Sequence, residues 1–280
     1  MDRPQGILDE LRGEIDEIDT AMHDLIMRRA AIVENIAAAK GDQAASGMRP
    51  AREAEILRRL VARHAGPFPR GSLVRIWREI ISAVTKMQGP YNVAVFDDGG
   101  GGLWDLSRDY FGSCTEIATR TARRDVVGDV ADGAVTHGVL PYPSEEDDRP
   151  WWAGLWAPDA PRIVLRLPFA GIGNARGRDA QALVIARIAP QATGDDRSLV
   201  MIETGQETRR TVFAEMLGRA GLEGRLVCAS TDGSLQYLVE AEGFIDSGDV
   251  RLGRLTEEKN VERVRIIGAY PVPLSVPAKI

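Results

Sequence analysis

The feature that most restricts how this chain can fold lies near its start. From Leu8 the apolar residues fall at Leu8, Leu11, Ile15, Ile18, Met22, Leu25, Ile32 and Ile36, mostly in alternating steps of three and four. That spacing predicts one long amphipathic helix of heptad character, because such steps return side chains to one helix face. The slot between Leu25 and Ile32 holds Arg29 instead of an apolar residue. A first helix this long lacks enough neighbouring layers within one chain to bury its stripe, so an intertwined homodimer is expected.

Two further helices follow. The small and polar stretch GDQAASG, residues 41–47, reads as a loop, and MRPAREAEILRRL, residues 48–60, reads as a helix opened by Pro50. Proline suits the first turn because the missing backbone donor has no partner there anyway. After Gly66, Pro67 and Pro69 comes SLVRIWREIISAVTKMQ, closed by Gly89 and Pro90, with Leu73, Trp77, Ile80, Ile81 and Val84 as its expected buried face.

Charges sit on these apolar faces. Glu53 lies three and seven residues before Ile56 and Leu60, with Arg49 one turn away and Arg52 beside it. On the first helix the line 12, 19, 26, 33, 40 reads Arg12, Asp19, Ile26, Val33, Lys40, and on the third helix the apolar series continues to Gln88. Buried polar groups must find partners, because leaving them unpaired is costly. Each position alone has an ordinary explanation. Arg12 and Lys40 suit solvated flanks, Arg29 suits an ion pair with Glu53 or Asp19, Arg52 and Glu53 suit a surface pair, and Gln88 suits a helix cap. Together, four cations, a carboxylate and an amide aimed into one segment of about 90 residues are more than a structural core requires, and they read as an anion site. At ~1.5 Å per residue, Arg12 and Arg29 stand about 25 Å apart on one helix, and Arg12 and Lys40 about 42 Å. Arg12 can therefore share a site with the other two only by arriving from a second copy of the chain.

The rest of the chain changes character after residue 90. Short β-branched runs such as NVAVF, THGVLPY and RIVLRL suggest a small α/β layer, and AGIGNARGRD, residues 170–179, reads as a linker. Beyond it, ALVIARI, RSLVMIE, the helical TVFAEMLGRAGL, RLVCAS, LQYLVEAEGF and VERVRIIGAYPV suit an α+β sandwich. We divide the chain into a helical domain (1–90), an α/β lobe (91–170) and an α+β domain (171–280). A length of 280 residues with 44% hydrophobic composition supports more than one core, and a net charge of -6 argues against general nucleic-acid binding. With Cys114 and Cys228 far apart, and with neither an apolar leader nor a long apolar run, a cytoplasmic protein without disulfides, metal or membrane span is expected. Gly99 to Gly102 lack a phosphate-loop fingerprint, His23, His64 and His137 are scattered, and Trp151, Trp152 and Trp156 suit packing.

Residues 8–88, through LRGEIDEIDTAMHDLIMRRAAIVENIAAAK, MRPAREAEILRRL and REIISAVTKMQ, closely resemble the all-helical class of chorismate mutase. The resemblance implies a three-helix domain in an intertwined dimer that rearranges chorismate to prephenate without cofactor or metal. It implies that Arg12 of the partner subunit and Arg29 hold the substrate carboxylates. It further implies that Lys40 and Gln88 face the ether oxygen, that Arg52 touches substrate and that Glu53 binds the ring hydroxyl, whereas Arg49 stands where the family is often acidic. VAVF, GVLPYP and the terminal VRIIGAYP are similar to fused prephenate dehydratases with a regulatory ACT domain. Here the dehydratase Thr-Arg-Phe signature is replaced by Ala180, Gln181 and Ala182, and Glu-Asn-Ser by Pro143, Ser144 and Glu145. The ACT motifs read Thr208, Arg209, Arg210 and Cys228, Ala229, Ser230, Thr231. The expectation is a mutase with a degenerate dehydratase lobe and an ACT-like, ferredoxin-like tail; the alternatives are a non-catalytic sensor of the aromatic pathway or a bifunctional enzyme.

Overall fold

A computed structural model describes residues 3–40, 48–145, 150–171, 173, 179–231 and 234–275, without the side chains of 3–5 and 40. The expected loop at 41–47 and most of the expected linker at 170–179 lie outside the described residues. Among the described residues no helix is long and apolar enough to cross a membrane.

Helix α1 (Arg3–Lys40) runs unbroken for 38 residues. Its heptad stripe faces solvent in the single chain, from 45% exposed at Ile36 to 63% at Leu25. Helices α2 (Pro50–Arg63) and α3 (Arg70–Met87) form a hairpin, with Pro50 in the first turn of α2. Of the expected face of α3, Ile81 and Val84 are buried and Leu73, Trp77 and Ile80 are partly covered, and Val74, Arg78, Ser82 and Thr85 are buried as well. The covered face is wider than expected because the helix that carries Tyr110 packs along the line of Arg78 and Ser82.

That layer begins with β1 (Asn92–Phe96), α4 (Gly102–Phe111), β2 (Glu116–Arg120), α5 (Arg123–Ala131) and β3 (His137–Pro141). Strand β1 pairs in parallel with β2 on one side and β3 on the other, so the chain reverses direction across the sheet at β1. The helices supply the crossovers that parallel pairing demands. A 3-10 turn, Trp151–Trp156, buries Trp151 and Trp152 and leads to β4 (Arg162–Leu167). Strand β5 (Ala182–Ala186) inserts antiparallel between β3 and β4.

The remaining strands are β6 (Asp196–Thr204), β7 (Gly224–Ser230), β8 (Leu235–Glu242) and β9 (Val261–Pro271), with α6 (Arg210–Ala220) after β6 and α7 (Val250–Thr256) after β8. The chain order β-α-β-β-α-β and the sheet order β9-β6-β8-β7 are those of a ferredoxin-like unit. This unit joins the first layer edge to edge, giving one nine-stranded sheet in the order β2-β1-β3-β5-β4-β9-β6-β8-β7. The seam is a parallel contact of Ile163 with Gly268. Only glycine fits there, since a Cβ at position 268 would stand 2.2 Å from the Ile163 carbonyl oxygen. The architecture is thus a helical N-terminal segment followed by α/β and ferredoxin-like parts that share a sheet.

Candidate functional site

The helical segment carries the charges singled out above, and the structure treats them differently. Arg12 lies on the exposed part of α1 with its guanidinium 3.1 Å from Asp9. Arg29 is half-buried, its Nη1 has no hydrogen-bond partner among the described residues, and burial lowers its pKa. Guanidinium remains charged even so, and a partly desolvated cation of this kind favours an anion. Lys40 is the last residue of α1, and its side chain lies outside the described residues. Arg52 is exposed and pairs with Glu55 at 2.9 Å. Gln88 caps the C terminus of α3, with its Nε2 donating to the Val84 carbonyl oxygen at 3.1 Å. No hydrogen bond or ion pair joins any two of Arg12, Arg29, Arg52, Glu53 and Gln88 among the described residues.

Glu53 is the deeply buried member, 4% exposed. Its Oε2 accepts from Arg78 Nη1 at 2.6 Å and from the Tyr110 hydroxyl at 3.1 Å, while Oε1 accepts the Arg49 amide at 3.3 Å. The Glu53 partner is therefore Arg78, not Arg29. Arg78 also donates through Nε to the Tyr110 carbonyl oxygen at 2.8 Å, and its guanidinium carbon stands 3.6 Å from the centre of the Tyr110 ring. Burial opposes the Arg78 charge, but Tyr110 and Glu53 outweigh it and raise its pKa. Burial lifts the Tyr110 phenol well above its usual value, so it remains a neutral donor. A carboxylate has about four acceptor positions. The most lightly used oxygen of Glu53 is Oε1, which is where a ligand hydroxyl could still donate.

Sequence reasoning missed Arg78 and Tyr110. A usable signal was present, since Arg78 lies four residues after Val74 and three before Ile81, a cation on an apolar face like Arg29. Tyr110 had no such signal, because it reaches Glu53 from another part of the chain. Arg58 was missed for the same reason. It leaves α2 to donate to Thr193 Oγ1 and to the Asp195 carbonyl oxygen, both at 2.7 Å, which ties the helix hairpin to the turn before β6.

The glycine run at the C-terminal end of β1 occupies the position where α/β sheets commonly bind ligands. Here the chain plugs it. Asp97 Oδ1 accepts the amides of Gly99 and Gly101 at 3.0 and 3.1 Å, and Asp98 Oδ1 accepts that of Gly100 at 3.1 Å. Carboxylates thus hold the amides that a phosphate would need.

Residues 11–89 match the type II chorismate mutase family model. Every candidate position from Arg12 to Gln88 falls inside the matched stretch. The bifunctional chorismate mutase/prephenate dehydratase of Pseudomonas aeruginosa is 30% identical over 142 residues, 49% of this chain and 39% of the relative. That of Aquifex aeolicus is 30% identical over 138 residues, 48% of this chain and 38% of the relative. The aligned region therefore spans well under half of these mutase/dehydratase relatives. Among solved structures, GqqA, described as a novel type of quorum quenching acylase, has a TM-score of 0.49 at 18% identity, covering 66% of this chain and 96% of that one. Prephenate dehydratase from Streptococcus mutans has a TM-score of 0.47 at 11% identity, covering 65% and 98%.

Proposed function

We propose that this chain is a chorismate mutase that converts chorismate to prephenate in aromatic amino-acid biosynthesis, working as a homodimer in the cytoplasm without a cofactor. The observation that carries the reading is the type II chorismate mutase match over residues 11–89, which contains all six of Arg12, Arg29, Lys40, Arg52, Glu53 and Gln88. The substrate is a dianion, and its rearrangement is a concerted pericyclic step that needs no nucleophile. Catalysis then consists of positioning plus charge stabilisation at the breaking ether bond.

In this reading Arg29 and Arg12 of the partner subunit hold the two carboxylates, and the unpartnered Nη1 of Arg29 takes one of them. Lys40 and Gln88 serve the ether oxygen, for which the Gln88 amide turns away from Val84. Arg52 exchanges Glu55 for substrate, and Glu53 accepts the ring hydroxyl. Charge-assisted bonds of this kind contribute about 1.5–3 kcal/mol each. The exposed stripe from Leu8 to Ile36 supports the dimer, since one chain leaves it uncovered. Chain segments 1–90, 91–170 and 171–280 then serve as mutase domain, degenerate dehydratase-like lobe and ACT-like domain, with β5 of the third segment completing the sheet of the second.

The test is to incubate the purified chain with chorismate and follow its loss, then to assay for phenylpyruvate. Chorismate loss with prephenate accumulating is the expected result. Phenylpyruvate formation would make the enzyme bifunctional, and an absence of chorismate loss would overturn the reading.

A further inference from the structure

A cavity of about 580 Å3 opens where the turn between α2 and α3 meets α4 and the end of β4. None of Arg12, Arg29, Arg52, Glu53 and Gln88 lines it. Its walls include Phe68, Leu106, Tyr110, Leu167, Pro168 and Phe169, so much of the surface offered to a ligand is apolar and ring-shaped. The volume falls within the range of about 300–1,000 Å3 usual for small-molecule sites.

The polar lining has one dominant sign. Arg70, Arg75 and Arg78 border the cavity, and Asp109 is the acidic residue among its lining. Arg78 is 2% exposed, and its Nη2 has no hydrogen-bond partner among the described residues. Arg75 lies at the rim with its Nη2 3.6 Å from Asp109 Oδ2, longer than a hydrogen bond, so it can turn toward an anion while staying beside that carboxylate. The first residues of α3, Arg70, Gly71 and Ser72, also line the space. This is an 18-residue helix preceded by Pro69, and no side chain among the described residues caps it. Its first-turn amides and the positive end of its dipole therefore add to the cationic side.

We propose that this cavity binds a small organic carboxylate with a flat apolar body, the carboxylate at Arg70, Arg75 and the start of α3, and the ring among Phe68, Tyr110 and Phe169. Both halves of the ligand are required by the lining. An inorganic anion leaves the aromatic wall unfilled, and a neutral aromatic offers no acceptor charge to Arg70 and the first-turn amides of α3. Since Arg78 borders the cavity and also holds Glu53, occupancy adjoins the proposed mutase machinery through one side chain, although the binding itself does not depend on mutase activity.

The experiment titrates the full chain calorimetrically with 3-phenylpropanoate, with its uncharged amide and with inorganic phosphate. Saturable binding of one acid molecule per chain is expected, with the amide at least about ten-fold weaker, equivalent to about 1.4 kcal/mol. Arg75→Gln and Phe68→Ala, both at exposed positions, should each weaken the acid about ten-fold, and Arg29→Ala should leave it unchanged. Four results would overturn the proposal: no saturable binding of the acid, equal binding of acid and amide, phosphate binding as tightly as the acid, or loss of binding in Arg29→Ala.

Discussion

The Glu53 carboxylate lies 2.6 Å from the Arg78 guanidinium, and both groups are almost wholly removed from solvent. The pair joins α2 to α3, and Tyr110 joins both to α4, so one ion pair sets where the hairpin sits on the α/β layer. Taking two charges out of water is expensive, and breaking a buried pair by removing one partner typically costs about 3–5 kcal/mol. Arg78→Ala should therefore lower the melting temperature sharply. The double variant Arg78→Met with Glu53→Gln should be more stable than Arg78→Ala, because no uncompensated charge remains. Calorimetric unfolding of the three proteins checks this.

A second prediction concerns Glu240 on β8, which is 6% exposed. It accepts from the Tyr142 hydroxyl at 2.8 Å, from the Tyr270 hydroxyl and from Arg225 at 2.9 Å, with Arg166 at 3.5 Å. Burial pushes its carboxyl up, but the Tyr270 and Tyr142 hydrogen bonds and the arginine charges outweigh it, so its pKa is held below the ordinary range. A carboxylate depressed in the folded state contributes stability above its unfolded pKa of about 4.3 and loses it as pH falls through the folded value. Denaturant titrations below pH 4.5 should find Glu240→Gln less sensitive to acid than the parent chain, while at pH 7 the variant should be weaker by about 1–3 kcal/mol.

His137 makes a different pH window visible. It is 1% exposed on β3, with Nδ1 2.8 Å from Thr136 Oγ1 and the Tyr91 and Phe111 rings at 5.4 and 5.3 Å. Burial pushes its pKa down to about 4 despite the opposing charge of Glu53. The unfolded chain takes up that proton near pH 6.5, so stability present at pH 7 is lost as pH falls from about 6.5 to 4, by up to about 3 kcal/mol. In His137→Gln, urea midpoints measured at pH 7 and pH 5 should converge relative to those of the parent.

Much of this fold was legible in local pattern. The heptad from Leu8 to Ile36 became α1, and β-branched runs such as NVAVF, RIVLRL and RSLVMIE became strands, because burial of alternating or continuous apolar residues is a local demand. What escaped depends on contacts distant in sequence. Strand β5 slips between β3 and β4, and β9 meets β4 at Gly268, so segments read as separate units share one sheet. The same limit applies to the site. The carboxylate at position 53 was visible on its stripe, but its real partners come from α3 and from α4, and no periodicity within α2 identifies them.

In the proposed dimer each catalytic site takes Arg29 from one chain and Arg12 from the other. Arg12→Ala and Arg29→Ala chains should each lose nearly all chorismate turnover while keeping their helical content. Co-refolding equal amounts should restore about a quarter of the wild-type rate, because half the random dimers are mixed and each mixed dimer has one intact site of two. A rate no greater than that of the two parents, or full activity in either variant alone, would contradict the account.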